Sequence, residues 1–249
     1  MKTITLLTLL TLFMTLDAVS QQYGWSVIAR PRPGYQIHAV EFKDSLHGYC
    51  TAGDRIYTTA DGGHIWQAVT QPSFPNAFSD ISFSDTSHGW VVGTFYGDDA
   101  LIWKTIDAGR SWMEVLYQTP RQYRSIAAID IGKIFTAGSI GIIPDTGKMV
   151  QSSNSGATWT ESTLADSITY LGKMQFVDSL HGWMAGSVRA PAGYFGTRNV
   201  FFRSADGGMS WLLIDLPISR FSFVDSLNGF APGRSDFVNG EEGFYFLKT

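Results

Sequence analysis

The sequence predicts an all-β chain: a β-propeller of four-stranded antiparallel blades, five in number. Three observations carry that expectation. Tryptophans recur at Trp25, Trp66, Trp112, Trp159 and Trp211, at intervals of 41, 46, 47 and 52 residues, a period that belongs to propellers or solenoids. A second element recurs in phase with them: "VEFKDSLHGYCTAG" (40–53), "ISFSDTSHGWVVG" (81–93), "MQFVDSLHGWMAG" (174–186) and "FSFVDSLNGFAPG" (221–233), with a shorter copy, "IAAIDIGKIFTAG" (126–138), that lacks the His-Gly pair. Between these landmarks, short β-branched and aromatic segments are broken by Asp, Ser, Gly and Pro, with no sustained helical period.

The elements follow in order. Residues 1–20 read as a secretory signal: one Lys, an apolar stretch from Ile4 to Leu16, then Ala18-Val19-Ser20, with cleavage expected after Ser20. The apolar stretch is shorter than the ~20 residues a spanning helix needs, and no later run is long enough, so no membrane span is expected after cleavage. Residues 21–249 then form a single domain. In the second repeat, strand A is expected near Ile81–Ser84, strand B at Trp90–Thr94, strand C at Leu101–Thr105 and strand D at Ser111–Leu116, with turns at Asp85–Gly89 and Ile106–Arg110. Four such strands in ~40–50 residues make one blade. The repeat begins at Gly24-Trp25, where a strand D would start, and "GFYFLKT" (243–249) matches a strand C. The N- and C-terminal strands are therefore expected to close one shared blade, Trp25–Ala29 pairing with Phe244–Lys248, which leaves no open sheet edge; the alternative reading is a fragment of a larger propeller, with further blades after Thr249.

Stability must come from burial. Only one cysteine, Cys50, is present, so no intrachain disulfide forms, whereas 14% of residues are aromatic and 16% charged. A net charge of −4 argues against nucleic acid as a partner. His47, His88 and His181 occupy equivalent turns in different blades, which spreads them round the ring instead of converging them on a metal. Asp98-Asp99 and Glu241-Glu242 are not catalytic pairs by adjacency, since neighbours on a strand point to opposite faces. No catalytic residue, metal site or cofactor is expected.

The tryptophans close a recurring turn: "TTADGGHIW" (58–66), "KTIDAGRSW" (104–112), "QSSNSGATW" (151–159) and "SADGGMSW" (204–211). Asp61, Asp107, Asn154 and Asp206 are expected to accept hydrogen bonds from their own hairpins, glycine to supply positive φ, and Trp66, Trp112, Trp159 and Trp211 to pack against the blade. The pattern S/T-x-D-x-G-x-S/T-W, met fully at Thr105–Trp112 and Ser204–Trp211, is identified as the Asp-box, or BNR, repeat. Ile65 stands in the hydroxyl position of the first copy and Asn154 in the acid position of the third. Together with the "F-x-D-x-x-H-G-W-x-x-G" element, it resembles the photosystem II assembly and stability factor family. That resemblance implies a propeller without known catalysis that docks to protein partners.

Antiparallel hairpins place the A–B turns and the Asp-box C–D turns on one rim, and the B–C loops and D-to-A crossings on the other. The first rim repeats and reads as scaffold. The second is different in every blade and reads as the binding surface. Its segments carry Arg30, Arg32, Arg121, Arg124, Arg189, Arg198, Arg220 and Arg234, with Tyr35, Tyr96, Tyr123 and Tyr194, residue types that interfaces favour. The expectation is a secreted or periplasmic, non-enzymatic scaffold that binds a protein partner through this rim. The alternative is a carbohydrate-binding propeller, with a glycan as ligand, or a sialidase-like or polysaccharide glycoside hydrolase, since Asp-boxes occur there too. "ARPRP" (29–33) is a poor match to the Phe-Arg-Ile-Pro segment of a sialidase.

Overall fold

The computed structural model describes residues 36–69, 77–95, 99–118, 121–140, 146–162, 164, 167–189, 196–238 and 241–248, with the backbone alone at 95 and from 232 onward. The expected leader at Met1–Ser20 and the expected strand at Trp25–Ala29 lie outside these residues.

Every regular element among the described residues is a strand, and the strands form five antiparallel sheets along the chain. The first holds β1 (Ile37–Phe42), β2 (Gly48–Ala52), β3 (Arg55–Thr59) and β4 (Gln67–Ala68). The second holds β5 (Ala77–Phe83), β6 (Gly89–Phe95), β7 (Asp99–Thr105) and β8 (Met113–Gln118). The third holds β9 (Arg121–Ala128), β10 (Ile134–Ile140), β11 (Thr146–Ser152) and β12 (Thr160–Ser162). The fourth holds β13 (Ile168–Phe176), β14 (Gly182–Arg189), β15 (Thr197–Ser204) and β16 (Leu212–Ile214). In the fifth, β17 (Ser222–Phe223), β18 (Gly229–Val238) and β19 (Glu241–Lys248) are described. Spatial order equals chain order in each sheet, the meander of a propeller blade.

Two boundaries differ from the sequence expectation. β5 starts at Ala77, because a register shift between Phe78 and Asp80 breaks the alternation that marked only its second half. β8 starts after Trp112, whose indole N–H donates to Gly109 O at 3.1 Å, so that this tryptophan belongs to the turn.

The sheets pack face to face through a repeated set of positions. Three apolar side chains face the preceding sheet from β5 (Phe78, Ile81 and Phe83), from β13 (Leu171, Met174 and Phe176) and from β17 with the segment before it (Ile218, Phe221 and Phe223). In the first four sheets the second residue of the second strand turns the other way, towards the next sheet. Tyr49 stacks on Phe83 at 3.5 Å, Phe135 on Phe176 at 5.6 Å and Trp183 on Phe223 at 3.7 Å. Burial of these rings, with an added preference for stacked and edge-on pairs, is what holds one blade to the next.

Polar side chains complete the joints, because neighbouring inner strands splay apart and do not pair as a sheet. Glu41 accepts the Phe83 N–H at 2.8 Å, Ser82 the Ala128 N–H at 3.1 Å, Ser125 the Met174 N–H at 3.0 Å and Gln175 the Phe223 N–H at 3.0 Å. Each bond satisfies a backbone donor that would otherwise lack a partner in the protein interior.

Candidate binding surface and central channel

The Asp-box turns are self-contained hydrogen-bond systems. Thr59, Thr105, Ser152 and Ser204 each accept the amide of the box glycine four residues on, at 3.0, 3.0, 2.9 and 2.8 Å. The same hydroxyls donate to Asp61, Asp107, Asn154 and Asp206. Those acceptors in turn take the amides of Ile65, Ser111, Thr158 and Ser210 at 2.8–3.0 Å. In the two full matches the Ser111 and Ser210 hydroxyls add a bond to the second carboxylate oxygen, at 2.5 Å. Asn154 keeps the geometry by reversing that bond: its amide donates to Thr158 Oγ1 at 2.8 Å. The serine bonds hold the Asp206 carboxyl at about 2.

Each box is also clamped to the A–B turn of its own sheet. Gly62, Ala108, Ser155 and Gly207 donate their amides to Leu46, Ser87, Gly132 and Leu180 carbonyls at 2.8–3.1 Å. The four donors share a positive φ of 73°, 62°, 62° and 70°. In the A–B turns, Asp44, Asp85, Asp130, Asp178 and Asp225 each accept the amides two and three residues on. His47 Nδ1 lies 2.8 Å from the Asp44 carboxylate, with the same pairing at His88 and His181. These bonds hold the Asp44 carboxyl at about 2, the His47 amide foremost. Acids locked in this way are fixed acceptors of scaffold turns, without the freedom to move a proton at neutral pH.

The opposite rim is more varied than its arginine count suggests. Arg121 at the start of β9 pairs with Glu161, which Lys148 also holds at 3.0 Å. Arg198 pairs with Asp215. Both guanidinium charges are therefore met within the chain, by acids that are distant in sequence. Tyr123 is only 1% exposed, and its hydroxyl donates to Gln118 Oε1 at 2.5 Å. It occupies the inner-strand position of Phe78 and Leu171, so it is a core residue of the joint between the second and third sheets, not a surface contact. Arg189 and Arg220 are exposed, and neither has a side-chain partner among the described residues. Arg30, Arg32, Tyr35, Tyr96 and Tyr194, and the side chain of Arg234, lie outside the described residues.

The inner strands β1, β5, β9 and β13 surround a cavity of about 550 Å³, the central channel. Its polar lining was not singled out from the sequence, although Glu41, Ser82 and Gln175 all directly precede the inner-strand phenylalanine, and that offset was available. Asp80 is fixed in the wall. It accepts the Ser125 hydroxyl at 2.7 Å and the Ile126 and Ile81 amides, each at 3.0 Å. Burial pushes its carboxyl up to about 6, against those hydrogen bonds, which favour the charged form. Burial likewise raises Glu41, opposed by Lys43 at 3.1 Å. Two further cations face the channel: Arg124, bonded to Gln122, and Lys173, whose ammonium sits 5.6 Å over the Phe221 ring. Among the described residues, no group of three or more His, Cys, Asp or Glu could hold a metal ion. Cys50 is buried, and burial pushes its thiol up to about 11.

Comparison with known proteins agrees with this architecture. A curated photosystem II stability/assembly factor, the chloroplastic HCF136 of Oryza sativa subsp. japonica, is 24% identical over 192 residues, which are 74% of this chain and 42% of that protein. The chain thus spans less than half the length of this relative. The GH74 enzyme of Niastella koreensis overlaps at a TM-score of 0.57 with 13% identity, covering 79% of this chain and 33% of that one, which is a likeness of fold. A structure of YCF48 bound to D1 peptide is 17% identical at a TM-score of 0.46, covering 82% of this chain and 92% of that one. The family profile described as photosynthesis system II assembly factor YCF48 matches residues 17–169, more than half of the sequence. The Asp-box turns and four-stranded sheets thus have their counterpart in a recognised family, and the chain belongs to the photosynthesis system II assembly factor YCF48 family.

Proposed function

We propose that this chain is an exported, non-catalytic assembly-factor-like propeller. It holds an acidic segment of a partner protein against the rim opposite the Asp-box turns and the adjoining channel mouth. One observation carries the reading: the division of charge between the rims. The turn acids Asp44, Asp85, Asp107, Asp178, Asp206 and Asp225 are all bonded within their own turns. At the other end, Arg189 and Arg220 are exposed, and Arg124 and Lys173 face the channel. Guanidinium groups without an internal carboxylate are available for bidentate pairing with a partner's acids. Family membership supports a role in assembly. Export rests on the apolar leader at Ile4–Leu16.

The test is a titration of residues 21–249 with a labelled acidic peptide and its amide-neutralised counterpart, at low and moderate salt. The acidic peptide alone should bind, and more weakly as salt rises. The variant Arg124→Ser/Arg189→Ser/Arg220→Ser should lose at least about tenfold in affinity. Equal binding by that variant removes the reading. Hydrolysis of a sialoside or a β-glucan by the wild type would overturn the non-catalytic assignment in favour of the glycoside hydrolase alternative. Mass spectrometry of the N-terminus of the envelope-located protein tests export, with a start at Gln21 expected.

A further inference from the structure

The first Asp-box departs from the other three at one oxygen. In the second and fourth boxes the Ser111 and Ser210 hydroxyls close on the second carboxylate oxygen of Asp107 and Asp206, and in the third the Asn154 amide donates to Thr158. Ile65 holds that place in the first box and has no hydroxyl. Asp61 Oδ1 still accepts the Thr59 hydroxyl at 2.7 Å and the Ile65 amide at 2.9 Å, while Oδ2 is left without the hydroxyl bond of its counterparts. The turn keeps its shape because its geometry rests on Oδ1. The Ile65 amide, foremost, holds this carboxyl below the usual aspartate range, so the free oxygen belongs to an ionised group at neutral pH.

Asp61 lines a groove of about 550 Å³ between the first and second sheets, within the ~300–1,000 Å³ range of ligand pockets. Thr58, Ile65 and Gln67 stand with it on the first sheet, and Thr86, Asp107 and Arg110 line the groove from the second. The joint beneath is rigid: Tyr49 stacks on Phe83 and donates its hydroxyl to Thr86 O at 2.7 Å. Ile65 is 63% exposed, so an aliphatic face adjoins the free carboxylate oxygen. Against the two acids Asp61 and Asp107 the lining holds one permanent cation, the exposed Arg110. The phenol ring in the lining, Tyr49, is only 1% exposed and gives a sugar no platform to stack on. Negative charge beside an aliphatic surface matches a basic side chain, whose stem is apolar and whose head is charged.

We propose that this groove is a second recognition site, which holds an arginine or lysine of a basic segment of a partner protein. The cation pairs with Asp61 Oδ2, its stem lies along Ile65, and Thr58 and Gln67 bond the segment's backbone. The site is on the Asp-box rim, opposite the surface assigned above to acidic segments, and it selects the opposite charge. A propeller with two such rims holds two partners, or two segments of one partner, at the same time. Neither site depends on the other.

The other boxes supply the variants that test it. Asn154 shows that an amide keeps this turn, so Asp61→Asn removes the charge and leaves the hairpin. Ile65→Ser restores the hydroxyl, which should close on Asp61 Oδ2 as Ser111 closes on Asp107. The full chain is titrated with a labelled, end-capped peptide of alternating arginine and leucine, and with its counterpart carrying neutral citrulline for arginine. The wild type should bind the arginine peptide about tenfold more tightly than the citrulline peptide, and each variant should lose that margin. Melting temperatures should stay near the wild type for Asp61→Asn and at or above it for Ile65→Ser. Arginine-peptide binding that persists in Arg124→Ser/Arg189→Ser/Arg220→Ser supports the proposal, whatever becomes of acidic-peptide binding. Equal binding of the two peptides by the wild type, or wild-type affinity in both variants, overturns it. So does a loss of acidic-peptide binding in Asp61→Asn, which would report damage to the whole propeller. Self-association abolished by Asp61→Asn, or binding of a cello-oligosaccharide in place of the peptide, overturns it in favour of a second copy or a glycan.

Discussion

The Asp-box rim and the rim opposite are made from the ends of the same strands, yet they obey different rules. On the first, every turn acid bonds amides within four residues of itself, and each box is bonded to its neighbouring A–B turn. On the second, strands are joined by connections as short as Gly53-Asp54 or as long as the one from Arg189 to Thr197, and the charges there find partners far along the chain. Local bonding fixes a turn's sequence, and so the turn repeats. A loop without such bonds is free to vary and to take on recognition.

The comparison breaks most severely at Tyr123, which lies in a variable-rim segment but belongs to the core. Tyr123→Ala should cost about 3–5 kcal/mol of stability by thermal or urea unfolding, as large buried rings do. A loss confined to binding would return it to the surface class.

On the scaffold rim, Thr105→Val leaves the Gly109 amide without its acceptor in a buried turn, so a loss of about 1–3 kcal/mol is expected with binding unchanged. Gly207→Ala should be destabilising too, because a Cβ there would meet Ser179 O at 2.6 Å and φ is +70°. Ala108, at the equivalent position, already has φ +62°. Ala108→Gly should therefore change stability by no more than about 1 kcal/mol, relief of backbone strain offsetting the added freedom of the unfolded chain.

Between the rims, Asp80 gives the channel its own pH signature. Its folded value of about 6 lies above the ordinary aspartate value of 3.8, so between those limits the folded state holds the proton more tightly than the unfolded one. Stability should then rise as pH falls from 7 towards 4. The lowered turn acids Asp44 and Asp206, both at about 2, act with the opposite sign: their contribution is present above the unfolded value and is lost as pH falls from about 4 to 2. Melting temperatures across this range should show a maximum near the crossover, and Asp80→Asn should flatten the upper limb. An unchanged upper limb in that variant would place the titrating group elsewhere.

The smallest expected effect is at Arg189 and Arg220. Replacement by Ser should leave stability within about 0.5 kcal/mol, as at ordinary surface sites, while weakening capture of acidic peptide at low salt. A marked fall in melting temperature would assign these arginines to the scaffold.

The blade period, the meander of strands and the role of each Asp-box acid were legible in the sequence, the last because it depends on bonds between residues two to four apart. Asn154 was readable as a working member of the set because a hydroxyl, Thr158, stands at the right offset. The recognition surface was less legible. Arg121 and Arg198 looked free because Glu161 lies 40 residues and Asp215 17 residues away, and no local pattern reports such pairings. Tyr123 looked like a contact residue because the sequence puts it in the variable segment 117–124, and only the stacking of the third sheet on the second encloses it.

The sequence by itself determined how the chain is cut into blades and how each hairpin is tied, because short-range hydrogen bonds and side-chain alternation are written in consecutive residues. Only the tertiary structure decided which side chains look across a joint or into the channel. Glu41 to Phe83, Asp80 to Ile126 and Gln175 to Phe223 join residues 42 to 48 apart, and such contacts exist only once neighbouring blades have come to lie face to face.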